Sequence, residues 1–286
     1  MNARAEAAHE DPPRSHLRVA GPLRPGRSLL ARKLVVPLGI LILWFVVSEA
    51  RLVRPIILPP PWDVFRAFEG MAPQLPGAIL TTVTITISGF LIGVLAGTSL
   101  GLAMAYSRTT REFLGTVLDF VRPVPVFALI PLFILWFGVG RAPQIALVAM
   151  GCSVILGVTT LEAIRNVPPI YIRAALTLGA DQRAIYRTVI VPSILPHLVG
   201  AIRVAAAAAW GLDVAAEFMG SQEGLGYLII LQQTYLRTSG IFLLVATYSV
   251  LAVVLDAIIA RIERRMTRWT ERRSSVGVVA SMVGSR

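Results

Sequence analysis

Residues 78–106 read AILTTVTITISGFLIGVLAGTSLGLAMAY and carry no charged side chain. A helix rises about 1.5 Å per residue, so roughly 20 apolar residues cross a hydrocarbon core of about 30 Å. This stretch is long enough and apolar enough to span a bilayer. Within it Gly89, Gly93, Gly97 and Gly101 recur at every fourth position. That spacing aligns four positions without side chains on one helix face, where a neighbouring backbone can approach closely. Tight helix packing is the expected use of the stripe; lining a pore is the alternative.

The rest of the composition fits a lipid solvent. Apolar residues make up 55% of the 286 positions and charged residues 15%, against about a quarter charged in soluble domains. Mean hydropathy is +0.71. The net charge of +11 raises nucleic acid as a partner, but no DNA- or RNA-reading motif accompanies it, so that class is set aside. The lone Cys152 excludes an intrachain disulfide, and His9, His16 and His197 lack the spacing of metal ligands. No catalytic or metal-binding constellation can be assembled, and no cofactor is expected.

Working outward, the pattern predicts an all-α polytopic membrane protein with six spans. They are Leu34–Glu49, Ala78–Tyr106, Pro123–Val139, Pro143–Leu161, Leu198–Phe218 and Gly240–Ala260. Residues 1–33 and 270–286 read as flexible cytoplasmic tails flanking a membrane domain over 34–269. Arg51–Gly77 holds Pro55, Pro59, Pro60, Pro61, Pro73 and Pro76, and the proline run predicts an irregular connector. Met219–Ser239 is a second connector. Pro123, Pro125 and Pro131 predict a broken or kinked third span.

Six spans place both termini on one side. The compartment holding the termini and the 107–122 and 162–197 loops carries 21 of the 27 basic residues. The opposite connectors hold Arg51, Arg54, Arg66, Arg141 and Arg237, and Arg203 lies within a span. Basic residues concentrate on the cytoplasmic side, so both termini are expected there.

The 162–197 loop has its own pattern. Ile170–Leu178 is helical in character, Gly179 can stop a helix at positive φ, and Asp181 can cap the next one. Leu176, Ile185, Val189, Tyr171 and Tyr186 supply apolar faces; Arg173, Arg183 and Arg187 supply charge. Two readings are open from these residues. The pair can dock another protein, or it can lie on lipid headgroups.

The segment resembles the EAA loop of binding-protein-dependent ABC importer permeases. Their pattern is Glu-Ala-Ala, three residues, Gly, nine residues, then Ile-x-Leu-Pro. Ala174, Ala175, Gly179 and Pro192 fall in register, and Val189 and Val191 replace the Ile and Leu. Arg173 stands where the Glu is expected, which reverses one charge. Leu58-Pro-Pro-Pro-Trp-Asp-Val64, Pro131-Leu-Phe-Ile-Leu-Trp-Phe-Gly138 and Gly224-Leu-Gly-Tyr-Leu-Ile229 look like segments of the nitrate, sulfonate, taurine and bicarbonate branch. The likeness runs from about Leu34 to Trp269. It implies a type I ABC importer permease fold and a homodimer working with two ATPase subunits and an extracytoplasmic substrate-binding protein. Arg173, Ala174, Ala175, Gly179, Asp181, Val189 and Pro192 would form the ATPase-coupling surface. The implied solute is a small anion such as a sulfonate, taurine or nitrate.

The chain cannot hydrolyse ATP through a P-loop, because Walker A needs Gly-Lys-Ser/Thr and the only lysine, Lys33, sits between Arg32 and Leu34. Asp213 and Glu217 lie four apart, on one face of the fifth span. Three roles are open to them: a translocation pathway or gate, pairing with an arginine on another span, or exposure near the outer surface. Arg203 balances an anionic solute or anchors the interface. A stand-alone ion-coupled secondary transporter or channel is the competing function; it would need no docking loop.

Overall fold

A computed structural model describes residues 27–266, and every regular element among them is helical. In hydrocarbon no water is present to pair with backbone groups, and a helix satisfies them within one segment. The chain divides into two compact units, Met1–Leu52 and Val53–Arg286. The first contributes α1 (Arg27–Glu49), which contains Pro37. Its apolar side chains Val35, Val36, Ile40, Ile42 and Leu43 are exposed, as a lipid-facing helix requires. This helix starts ahead of Leu34, inside the stretch expected to be a tail. Residues 1–26 and 270–286 of the expected tails lie outside the described residues.

The second unit comprises α2 (Pro61–Met71), α3 (Leu75–Tyr106), α4 (Arg108–Val121), a 3-10 turn (Val126–Leu129) and α5 (Ile130–Phe137). It continues with α6 (Arg141–Arg165), α7 (Pro169–Thr177), α8 (Gln182–Ile185), a π-helical turn (Tyr186–Ile190), α9 (Val191–Gly220), α10 (Leu225–Thr234) and α11 (Thr238–Met266).

Four helical stretches are long and apolar enough to cross a membrane: Leu75–Tyr106, Arg141–Arg165, Gln182–Gly220 and Thr238–Arg265. Val35–Glu49 is a shorter apolar helix. The expected third span, Pro123–Val139, is not one helix. Its residues form the 3-10 turn and the eight-residue α5, and with α4 they make a pair bent by 90°. Proline removes a backbone donor and clashes with the preceding turn, so the break predicted from Pro123, Pro125 and Pro131 is severe enough to end the helix. Among the described residues, four uninterrupted helices, or five spans if the bent pair is counted as one, leave the expected count of six not confirmed exactly.

Both connectors also contain helices that the sequence reading left out. Pro61 sits at the first turn of α2, after Pro60 in an extended conformation (φ −67°, ψ 151°). Proline lacks only an N–H that the first turn would leave unpaired anyway, so the run starts a helix there rather than forbidding one. Pro76 plays the same part at the start of α3. In the second connector α10 begins directly after Gly224.

Helices α3 and α6 pack along one another, and α6 packs in turn on α9. A Cβ placed on Gly89 would lie 2.6 Å from the Val148 Cβ, and one on Gly93 would lie 2.5 Å from the Cys152 Cβ and 2.7 Å from the Ala149 carbonyl oxygen. Gly97 and Gly101 face Ser153, Leu156 and Thr160 as closely. On the far side of α6, Ala201, Ala205 and Ala209 of α9 join Val148, Cys152, Leu156 and Leu212 in the core. Small residues on both outer helices bring three backbones close together, and dispersion then takes over where the hydrophobic effect is weak.

Candidate functional site

Two constellations stand out, at opposite ends of α3. At one end is the 162–197 segment. Its first helix, α7, closes at Leu178, and Gly179 takes φ +79°. There the Gly179 N–H donates to the Leu176 carbonyl (2.9 Å) and the Ala180 N–H to the Ala175 carbonyl (3.0 Å). A side chain is disfavoured at that φ, which is why glycine stands at the turn. Asp181 then accepts from the Ala184 N–H at 2.7 Å and caps α8. Helix, glycine turn and cap therefore lie where the sequence puts them. The second helix of the pair, however, does not stop: α8 runs through the π-helical turn into α9.

This segment leaves apolar surface uncovered. Leu178 is 88% exposed, and Ile170, Tyr171 and Leu176 are also exposed. An open groove of about 770 Å³ lies among Ala174, Ala175, Leu178, Val189, Pro192 and their neighbours. Of the expected coupling residues, Ala174, Ala175, Val189 and Pro192 thus share one groove, while Gly179 and Asp181 set the turn. Arg173 is exposed and enters no ion pair among the described residues.

The segment is tied to α3. The Tyr186 hydroxyl donates to the Leu102 carbonyl at 2.5 Å, and its ring stands edge-on to Tyr106, with centroids 5.4 Å apart. Arg111 in α4 donates to the carbonyls of Met104 and Ala105 at the same helix end. The loop is thus bonded to the last turns of α3 through Tyr186.

At the other end of α3, Asp213 and Glu217 are 0% and 1% exposed. Glu217 Oε1 accepts from the Thr82 hydroxyl (2.7 Å), and its Oε2 accepts from the Gly226 N–H (2.5 Å) and the Tyr248 hydroxyl (2.9 Å). Thr82 Oγ1 in turn accepts from the Leu225 N–H at 2.9 Å. The carboxylate therefore holds the first turn of α10 against α3, α9 and α11, at a helix end where a negative charge is favoured. Gly224 (φ +101°) has no room for a Cβ beside the Glu217 carboxylate, which explains the glycine there. Asp213 receives only a long contact from Tyr248 (3.5 Å).

Among the described residues Glu217 is buried and has no arginine partner; its partners are two hydroxyls and a backbone N–H. Arg203 instead grips Asp256 with two bonds of 2.8 and 2.9 Å and reaches Glu263 at 3.5 Å. The sequence reading missed Thr82, Tyr248 and the α10 N-terminus as partners. The polar run Thr81, Thr82, Thr84 and Thr86 inside a span was the available signal. Nearby, Arg141 at the start of α6 donates to Oε2 of Glu223, on the connector after α9, at 2.7 Å and to Thr81 at 3.3 Å. The Arg141 guanidinium holds the Glu223 carboxyl below the usual carboxylate range. Among the described residues no group of His, Cys, Asp and Glu could hold a metal ion.

Comparison with known proteins agrees with this architecture. Residues 89–268 match the family described as binding-protein-dependent transport system inner membrane component. The taurine transport system permease protein TauC of Escherichia coli is 29% identical, over 84% of this chain and 91% of its own. An ABC transporter permease protein of Brucella abortus is 32% identical, over 76% and 88%. The riboflavin transport system permease protein RibX of Chloroflexus aurantiacus is 32% identical over 66% and 71%. Among solved structures, the inward-facing MetNI methionine ABC transporter shares the fold at TM-score 0.56 and 21% identity, covering 69% of this chain and 96% of the other. An amino acid ABC transporter does so at TM-score 0.56 and 22% identity, over 70% and 98%. A helical membrane shell with a glycine-built seam, a grooved loop and a family match across most of the chain lead to one placement: the chain belongs to the inner-membrane components of binding-protein-dependent transport systems.

Proposed function

We propose that this chain is the permease of an ATP-driven importer for a small organic anion of the sulfonate class. In this reading the groove over Ala174, Ala175, Val189 and Pro192 seats an ATPase subunit, and two permeases pair with two ATPases and one extracytoplasmic binding protein. Both termini and the 162–197 loop face the cytoplasm, as the arginine distribution favours. Motion of the ATPase pulls on the loop, and the Tyr186–Leu102 bond passes it to α3. Glu217 acts on the pathway from behind its wall, by fixing α10, with Asp213 one turn before it on α9, and neither touches solute. The sulfonate assignment rests on relatives that include a taurine permease; the riboflavin permease among them sets its range.

The observation that carries the coupling reading is an apolar, open groove built on a capped helix–glycine–helix turn. A protein surface of this kind needs a partner. Gly179→Val tests it, because a β-branched residue cannot take φ +79° cheaply. The variant permease is expected to keep its melting temperature, lose co-purification with its ATPase, and lose ATP-dependent taurine uptake into proteoliposomes containing the binding protein. Uptake that persists without ATP and follows an imposed ion gradient would instead establish the secondary transporter. Full ATP-dependent uptake of another solute class, with none of taurine, would remove only the substrate assignment.

A further inference from the structure

Two polar atoms on facing helices lack partners in the same place. Asp213 Oδ1 and Thr86 Oγ1 are both buried and neither has a partner in good hydrogen-bond geometry, although the two side chains are close enough to interact with each other. An ionised carboxylate at membrane depth with one oxygen bare costs several kcal/mol, on the order of an unsatisfied charge in hydrocarbon. Every charge near the pair must therefore be accounted for.

On α9 itself the pair is Asp213 and Glu217. From α3 come the hydroxyls of Thr82 and Thr86, from α10 the N–H groups of Leu225 and Gly226, and from α11 the Tyr248 hydroxyl. None of the ion pairs among the described residues includes either carboxylate. The nearest charged pair, Arg141 and Glu223, stops at Thr81.

The donors are unequally shared. Glu217 collects three hydrogen bonds, the complement of an anion. Tyr248 has one hydroxyl hydrogen for two carboxylates, and the 2.9 Å bond to Glu217 is the one of normal length, against 3.5 Å to Asp213. Thr82, the other hydroxyl on Glu217, already accepts from Leu225.

We propose that Asp213 is a proton-binding site: it is held as a neutral carboxylic acid, protonated on Oδ1 and donating to Thr86 Oγ1, while Glu217 remains the anion. The added proton leaves the pair with a single negative charge, matched to the three donors on Glu217. The Thr86 hydroxyl's own hydrogen would bond Oδ1 without it, but two buried carboxylates one helical turn apart would then both be charged. A neutral acid also lets α3 and α9 change their spacing without a second charge being bared to lipid. This holds whatever solute the protein carries.

Infrared spectroscopy of the full chain in lipid tests the assignment. A neutral carboxylic acid has a carbonyl stretch above the amide band that shifts in heavy water. The wild type is expected to show it at neutral pH, and Asp213→Asn to lose it while keeping the thermal stability of the wild type. Thr86→Val is expected to keep the band and move it to higher frequency, since the acid loses its acceptor; a structural defect alone would not do this. A band that survives Asp213→Asn, or that Glu217→Gln removes instead, overturns the proposal. So does a band absent at neutral pH or abolished by added sodium, which would make the site one for a metal cation.

Discussion

Helix α3 is held in two unlike ways along its length. From Gly89 to Gly101 its four glycines lie directly against the backbone and Cβ atoms of α6, at Val148, Ala149, Cys152, Ser153, Leu156 and Thr160. From Thr81 to Thr86 the same helix meets a carboxylate, a tyrosine and the start of another helix through hydroxyls. The first half depends on space and the second on donors. A seam of space tolerates small residues of any polarity but resists any added atom. A knot of donors accepts little change in shape and none in hydrogen bonding, because a bared buried group costs about 1–3 kcal/mol even in a protein interior.

The contrast breaks hardest at the seam. Gly93→Leu places a Cβ within 2.5 Å of the Cys152 Cβ and 2.7 Å of the Ala149 carbonyl oxygen, and a backbone cannot move aside as a side-chain tip can. Overpacking ordinarily costs about 1–3 kcal/mol when side chains give way. Here the expected loss is at the top of that range or beyond, and the measured outcome is little or no folded protein recovered in detergent. A well-folded Gly93→Leu protein would mean that α3 and α6 do not pack at this distance. Gly93→Ala grades the same test, with a smaller loss of melting temperature.

These two halves were not equally legible. The glycine repeat could be read because packing without side chains needs nothing from the rest of the chain beyond another helix, and the period is a property of one segment. The turn at Gly179 and the cap at Asp181 were legible for the same reason: each is settled within a few residues. Glu217 was visible as a charge in a span, but its partners lie about 30 residues away on α11, at Tyr248, and far upstream at Thr82. No local period marks such a pairing. Helices α2 and α10 are hidden because proline both breaks and starts helices, Pro61 doing the second here, and because Gly224, which a loop would equally explain, clears room for the Glu217 carboxylate. In the third span the prolines mark the break, one of the two outcomes they allow, but not its angle of 90° or the pairing of α5 with α4 across it, which packing outside the segment decides.

At the knot the expected effect is smaller but sharper in kind. Thr82→Val keeps the volume and removes one hydroxyl that both donates to Glu217 and accepts from Leu225. Two buried groups are left bare, each at a cost of about 1–3 kcal/mol. Thermal unfolding should fall measurably, and hydrogen exchange should rise at the Leu225 and Gly226 amides before it rises along α6. Thr82→Ser, which keeps the hydroxyl, should restore both. If Thr82→Val instead loosens the whole molecule uniformly, the two halves of α3 are one cooperative unit and the distinction between them is wrong.

The smallest effect belongs to the pair just outside the knot, Arg141 and Glu223, whose side chains are 53% and 63% exposed. Solvent screens such a bond, and exposed pairs contribute little. Its signature is in pH. Arg141 lowers the Glu223 carboxyl in the folded protein, so the stabilising contribution is present above the unfolded carboxyl value of about 4.3. It is lost as pH falls through the lowered folded value, because there the native state also takes up the proton. Glu223→Gln should therefore lower the melting temperature slightly at neutral pH, and the gap to the wild type should close on acidification. The gap should also shrink with added salt, which the Thr82→Val loss, sealed from solvent, should not do. A salt-sensitive Thr82 effect, or a salt-insensitive Glu223 effect, would mean that the boundary between water and the sealed interior lies on the other side of Thr81.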